Sequence, residues 1–177
     1  MAPRYPVRQE DFLYDLHWTE AMDKLFIEVL LDQQAIGNFI PGELNESALH
    51  ICMHVINNTF NQTFSYRYCL GRLAMLEKRY RVFYWLKRKH GVKYNEETNT
   101  VTAPEHVWDE IFQLNEFSIA YQEFGEPRWN DLKVLFDGLN YETKNVKPEV
   151  IDISDDSDTN DIGNVDALPK PSSQKIS

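Results

Sequence analysis

The sequence predicts an all-α domain followed by a tail of a different kind, and three observations lead there. Apolar residues recur at steps of three and four, the spacing of one helix face, through most of the first 138 positions. Capping residues and glycines punctuate those runs. From about Tyr141 to Ser177 there is no Trp or Phe, and Asp, Ser, Asn, Pro and Lys dominate. Such a segment buries too little apolar surface to offset its ordering entropy. The expected organisation is an N-terminal arm at 1–15, a helical domain at 16–138 and a disordered acidic tail at 139–177.

The elements follow in order. Thr19 is a helix cap, with Glu20 and Asp23 well placed in the first turn. Met22, Leu25, Phe26, Val29 and Leu30 form an apolar face, and Gly37 ends the helix. Pro41-Gly42 marks the following loop. A second helix follows Asn45 or Ser47 as its cap and uses Leu49, Cys52, Ile56 and Phe60 as its apolar edge. Asn57 to Thr63 reads as a polar turn of weak helix formers.

Ser65 caps a long third helix that runs to about His90 and stops at Gly91. Cys69, Leu70, Leu73, Leu76, Tyr80, Phe83 and Tyr84 share one of its faces. Arg67, Lys78, Arg81 and Lys89 fall opposite, with Trp85 among them, and Arg72 and Arg79 lie at the flank. Trp85 is expected to be covered by the C-terminal helices. The link VKYNEETNTVTAP suits a small hairpin of 92–94 with 100–102. Pro104 opens a fourth helix with Val107, Trp108, Ile111 and Leu114 on its stripe. A last helix after Gly125-Glu126-Pro127 carries Trp129, Leu132, Leu135 and Phe136 and ends at Gly138.

The net charge of −10 hides a pattern. Between Tyr66 and Lys93 stand nine Lys and Arg residues against one acid, Glu77. The residues on either side of that segment are acidic. One basic element in an acidic domain can face nucleic acid, or it can pair with its own acidic neighbours. No apolar run is long enough for a membrane span, the N-terminus lacks a signal-peptide core, and two cysteines do not make a disulfide framework. A reducing compartment follows, where the sequons at Asn45, Asn57 and Asn61 stay unmodified.

Several pieces together resemble a known family. They are His17-Trp18-Thr19 with LFIEVLLDQQAIGNF, then Asn57 to Phe60, then LGRLAMLEKRYRVFYWLKRKHGVKYNEETNTVTAPEHVWDEI, and last WNDLKVLFDG. In this order and spacing the chain resembles the plant Myb/SANT-like DNA-binding domain, which also occurs in Myb-like partners of Harbinger-type transposons. Leu49 and Tyr94 stand where family members commonly carry tryptophan. The resemblance implies a Myb/SANT-like three-helix unit with a long third helix and additional C-terminal helices. It also implies a nuclear location and double-stranded DNA or chromatin proteins as partners, in transcriptional regulation or as a transposon-derived helper.

In such a domain the third helix enters the major groove with its N-terminal part nearest the bases. That places Ser65, Tyr66, Arg67, Tyr68 and Arg72 at the bases, with Arg67 and Arg72 able to read guanine. Lys78, Arg79 and Arg81 then meet phosphates. The rival expectation is a SANT-type protein-interaction module, its basic face solvated or paired with acids. Whether Arg67, Lys78, Arg81 and Lys89 form one open stripe separates the two.

In the tail, residues 150–158 resemble a SUMO-interacting motif. Val150, Ile151 and Ile153, with Asp152 between them, would add as a strand to the edge of SUMO's sheet. Asp155, Asp156 and Asp158 would meet a basic rim, and phosphorylation at Ser154 or Ser157 would strengthen the attraction.

Other chemistry is not expected. His50 and His54 share a helix face from which Cys52 points away, and no fourth zinc ligand is evident. Lys87-Arg88-Lys89-His90 could serve as an import signal, but a solvated helix end is the simpler reading. Glu77 is a surface ion partner for Arg81 at i, i+4. No nucleophile–base set or carboxylate pair stands out, so neither enzyme activity nor a cofactor, metal or small-molecule substrate is anticipated.

Overall fold

The computed structural model describes residues 7–139. Its elements are α1 (Glu10–Leu13), α2 (Glu20–Ala35), α3 (Glu46–Phe60), α4 (Tyr66–Arg88), strands β1 (Lys93–Asn95) and β2 (Thr100–Thr102), α5 (Glu105–Leu114), a 3-10 helix (Glu116–Tyr121) and α6 (Trp129–Phe136). Helix dominates, but the two antiparallel strands make the fold mostly rather than wholly helical. They pair Tyr94 with Val101, turned by Asn99 in the left-handed region at φ 51°.

The caps work as side-chain chemistry requires. The Thr19 hydroxyl accepts from the Met22 amide at 3.3 Å, and the Ser65 hydroxyl from the Tyr68 amide at 3.1 Å. Asn45 precedes α3 but makes no capping bond. Its amide instead closes the α2–α3 loop, accepting from the Ile40 amide and donating to the Ile40 and Glu43 carbonyls. The expected polar turn at Asn57 begins later, because α3 continues to Phe60 and ends at Asn61 in the left-handed region. The Asn57 side chain then holds the Phe64 backbone at 2.9 and 3.0 Å, fixing the entry to α4.

α2 packs on α3 and α3 on α4, while α6 packs on both α2 and α4. The 3-10 helix lies against α4, α5 and α1. Trp18, Phe26, Phe83, Tyr121, Trp129 and Phe136 fill the shared core. The arm expected at 1–15 is partly structural. Leu13 on α1 is buried, and the Gln9 amide donates to the Ala120 and Gly125 carbonyls, both at 2.9 Å.

With α3, α6 and the 3-10 helix against it, α4 keeps one side in water. Leu70, assigned to its apolar face, is 42% exposed, and Leu114 leaves the α5 stripe at 56%. Trp85 is half-buried rather than covered. The segment with the SUMO-motif resemblance, 150–158, lies outside the described residues.

Candidate nucleic-acid interface

The open side of α4 follows from helical periodicity. Arg67, Leu70, Ala74, Lys78, Arg81 and Arg88 are exposed along it, and Trp85 and Lys89 are half-buried on the same side. At about 1.5 Å per residue this face runs roughly 30 Å. A Cβ at Gly71 would meet no neighbouring atom, so the face is also open there. The Lys78 ammonium lies 4.6 Å from the Phe117 ring centroid, and the Arg88 guanidinium 5.1 Å from that of Tyr84. Arg81 pairs with Glu77 one turn back, as the spacing foretold.

Arg72 and Arg79 do not belong to this face, and here the structure corrects the expectation that they touch DNA. Arg79 is wholly buried. Its Nε and Nη2 donate to the two Glu126 oxygens at 3.1 and 2.6 Å, and its Nη1 donates to Asp23 Oδ2 at 2.7 Å. Burial alone would lower its pKa; the Glu126 and Asp23 carboxylates outweigh that and leave it raised. Glu126 also accepts from the Tyr121 hydroxyl at 2.7 Å and the Arg128 amide at 3.1 Å.

Arg72 is 6% exposed. Its Nη2 donates to the Leu13 carbonyl at 2.8 Å and its guanidinium lies 5.0 Å from the Trp18 ring centroid. Asp23 Oδ1 is 3.5 Å from Arg72 and accepts from the Trp18 indole at 3.1 Å. Burial lowers the Arg72 pKa against the pull of Asp23 and Asp15. The guanidinium stays charged at neutral pH. Arg79 therefore spends its hydrogen-bond donors inside the domain, and Arg72 spends its Nη2 there while its Nε is buried without a hydrogen-bond partner.

The remaining candidates sit at the N-terminal end of α4 with divided duties. The Ser65 hydroxyl is the cap itself. Tyr66 stacks on His50 with centroids 4.6 Å apart. Tyr68 stacks on Phe64 at 4.5 Å and donates its hydroxyl to Asp15 at 3.2 Å. Burial and then the Asp15 charge push its phenol up to about 12. Arg67 is the exposed cation of that end.

Residues 17–111, just over half of the chain, match the Myb/SANT-like DNA-binding domain. The chain belongs to that family. Searches for similar curated proteins and for similar solved structures each found no match. The matched Myb/SANT-like span covers α2, α3, α4, the hairpin and α5 to Ile111. Tyr121, Glu126 and α6, which complete the surroundings of Arg79 and Phe83, follow it.

The sequence carried two signals for the buried network. Asp23 falls on the same helical face as Phe26, Ile27 and Leu30, an anion in an apolar stripe. Arg72 and Arg79 are seven residues apart, two turns, and so point the same way. No such signal marked Glu126.

Among the described residues no group of three His, Cys, Asp or Glu side chains is placed to hold a metal ion. Cys52 is buried at the α3–α4 contact while His50 stacks on Tyr66 at the surface. Burial pushes the Cys52 thiol up to about 12 and the Cys69 thiol up to about 11. Among the described residues no helix is long and apolar enough to cross a membrane.

Proposed function

We propose that this protein is a nuclear DNA- or chromatin-binding adaptor that meets DNA with the exposed face of α4. The observation that carries the reading is the cationic row Arg67, Lys78, Arg81 and Arg88, open along one helix of a Myb/SANT-like domain. Phosphate contacts by these side chains give affinity that falls with salt. The biological setting is transcriptional regulation or, following the resemblance to Harbinger-associated proteins, a transposon-derived DNA-binding helper. The domain supplies positioning rather than catalysis. Selection of bound sequences from random DNA at physiological salt tests this, with Arg67→Ala and Lys78→Ala as variants. Enrichment lost in the variants supports the proposal; absence of any DNA retention rejects it.

The tail adds a second proposed contact. Residues 150–158 would bind SUMO or sumoylated proteins through Val150, Ile151 and Ile153, helped by Asp155, Asp156 and Asp158. Titrating SUMO with a peptide of residues 146–160 tests it. Chemical-shift changes that survive replacement of Ile151 and Ile153 would sink the idea.

A protein-interaction role without DNA is the second reading, and one observation favours it. Arg72 and Arg79 are consumed by Asp23, Asp15 and Glu126, so fewer cations reach the surface than the sequence contains. Chromatin-protein capture from nuclear extract, unaffected by Lys78→Ala, distinguishes it from the first.

A further inference from the structure

The exposed face of α4 is not uniform along its length. Its N-terminal half presents Arg67, Leu70, Gly71 and Ala74, a single cation on small or apolar neighbours. The Asp15 carboxylate stands beside this half, 3.2 Å from the Tyr68 hydroxyl and 3.7 Å from Arg72. An anion there opposes a phosphate backbone. The C-terminal half presents Lys78, Arg81, Arg88 and Lys89, and the exposed residues His90 and Lys93 follow it.

Trp85 stands in the middle of that cationic half. Lys78 and Arg81 are seven and four residues before it, Arg88 and Lys89 three and four after, all within one turn or two on the same side. Trp18, Trp108 and Trp129 are 0%, 6% and 6% exposed, consumed by the core, whereas Trp85 is half-buried. The Lys89 ammonium is 5.9 Å from its ring centroid, at the outer limit of a cation–π contact. An aromatic ring among cations is the arrangement that holds a nucleic-acid strand: phosphates meet the charges and a base stacks on the ring.

We propose that the C-terminal half of α4 is a strand-binding platform, on which Trp85 stacks against an unpaired nucleobase while Lys78, Arg88 and Lys89 hold the flanking phosphates. The ligand class is single-stranded nucleic acid, or a duplex with an unstacked base. This rests on the nucleic-acid reading above and moves its centre away from the N-terminal end of α4, where groove reading was expected.

The test uses the full chain with an oligothymidylate of about twelve nucleotides, a length within the usual site sizes, and a duplex of equal length. Binding is followed by nucleic-acid anisotropy and tryptophan fluorescence. The expected result is quenching by the single strand, lost in Trp85→Leu together with about tenfold in affinity. Lys78→Ala/Arg88→Ala should flatten the log–log salt slope by about 1.4, two phosphate contacts on a single strand. Arg67→Ala should change single-strand affinity less than about twofold on the same reckoning. The two exposed cations keep the test valid if Trp85→Leu lowers stability. Single-strand quenching and affinity unchanged by Trp85→Leu, or Arg67→Ala as damaging as the Lys78/Arg88 pair, would overturn the proposal. Duplex binding alone, indifferent to Trp85, would overturn it and leave the DNA reading standing. Binding to neither probe would overturn both.

Discussion

Replacing Arg79 with methionine should destabilise the domain more than removal of any cation on the open face of α4. The substitution keeps the length and apolar stem of the side chain. It leaves Glu126 wholly buried, with the Tyr121 hydroxyl and the Arg128 amide as donors but no cation. Removing one member of a buried ion pair costs about 3–5 kcal/mol, because the other charge stays desolvated. For a folded unit of this size each kcal/mol lowers Tm by roughly 3–5 °C, so Tm should fall by about 10–20 °C. Glu126→Leu alone should cost a similar amount. The double variant should cost less than the two together, with a coupling of about 2 kcal/mol, since Asp23 retains Arg72 and the Trp18 indole. Urea unfolding followed by circular dichroism measures all three, and an unchanged m-value keeps the comparison valid. A loss below about 1 kcal/mol for Arg79→Met, the range of an exposed pair such as Arg81–Glu77, would refute the reasoning. Strict additivity would refute it too.

Other expectations follow from the same contacts. Gly125→Ala places a Cβ 1.5 Å from the Asn99 carbonyl oxygen, so the hairpin turn must move and thermal melting should show a loss of about 1–3 kcal/mol or more. Lys87→Met removes an ammonium lying 3.8 Å from the Tyr94 centroid and 4.5 Å from that of Trp129. Hydrogen exchange of the hairpin amides should then rise by an amount matching roughly 0.5–2 kcal/mol. Burial pushes Tyr14 and Tyr68 up to about 12 from 10.0, and Tyr121 well above 10.0. Folded-state pKa values above the unfolded ones give stability that is intact below pH 10 and lost as pH climbs towards 12. Tyrosinate absorbance should therefore lag in the native protein and rise on unfolding, and a native titration at the ordinary tyrosine pKa would contradict this. A thiol reagent at neutral pH should label neither Cys52 nor Cys69 until the chain is unfolded.

Local rules carried much of this architecture in the sequence. Thr19 and Ser65 cap the helices they were expected to cap, because an N-cap depends on the next three residues alone. The hairpin was legible from its polar turn between β-prone residues, but its first strand is 93–95 rather than 92–94, so every cross-strand pair is shifted by one residue and Tyr94 rather than Lys93 faces Val101. Asn45 stands at the start of its helix as expected, but its side-chain amide serves the loop behind it rather than the helix ahead. The interface was less legible. Periodicity separated Arg67, Lys78 and Arg81 from the core, but it could not tell a flank facing water from a flank facing another element. Arg72 and Arg79 became interior residues through partners 49 to 59 positions away in one direction and 47 in the other. Glu126 in particular lies in an irregular stretch where no period exists to read.

The guanidinium of Arg79 ties residue 23 to residue 126, and only the first of these falls within the span 17–111. A fragment cut at that span would keep the cation and discard half its counter-charge. It would also strip Trp129 from Phe83 and Tyr80, whose rings lie 5.1 and 5.4 Å away. Such a piece should be insoluble or collapsed when expressed alone, although it holds the whole span matched to the family. The span matched to the family and the span that builds the core are thus different lengths. Exchange of helix α4 between relatives would have to carry the acid at 126 along with it.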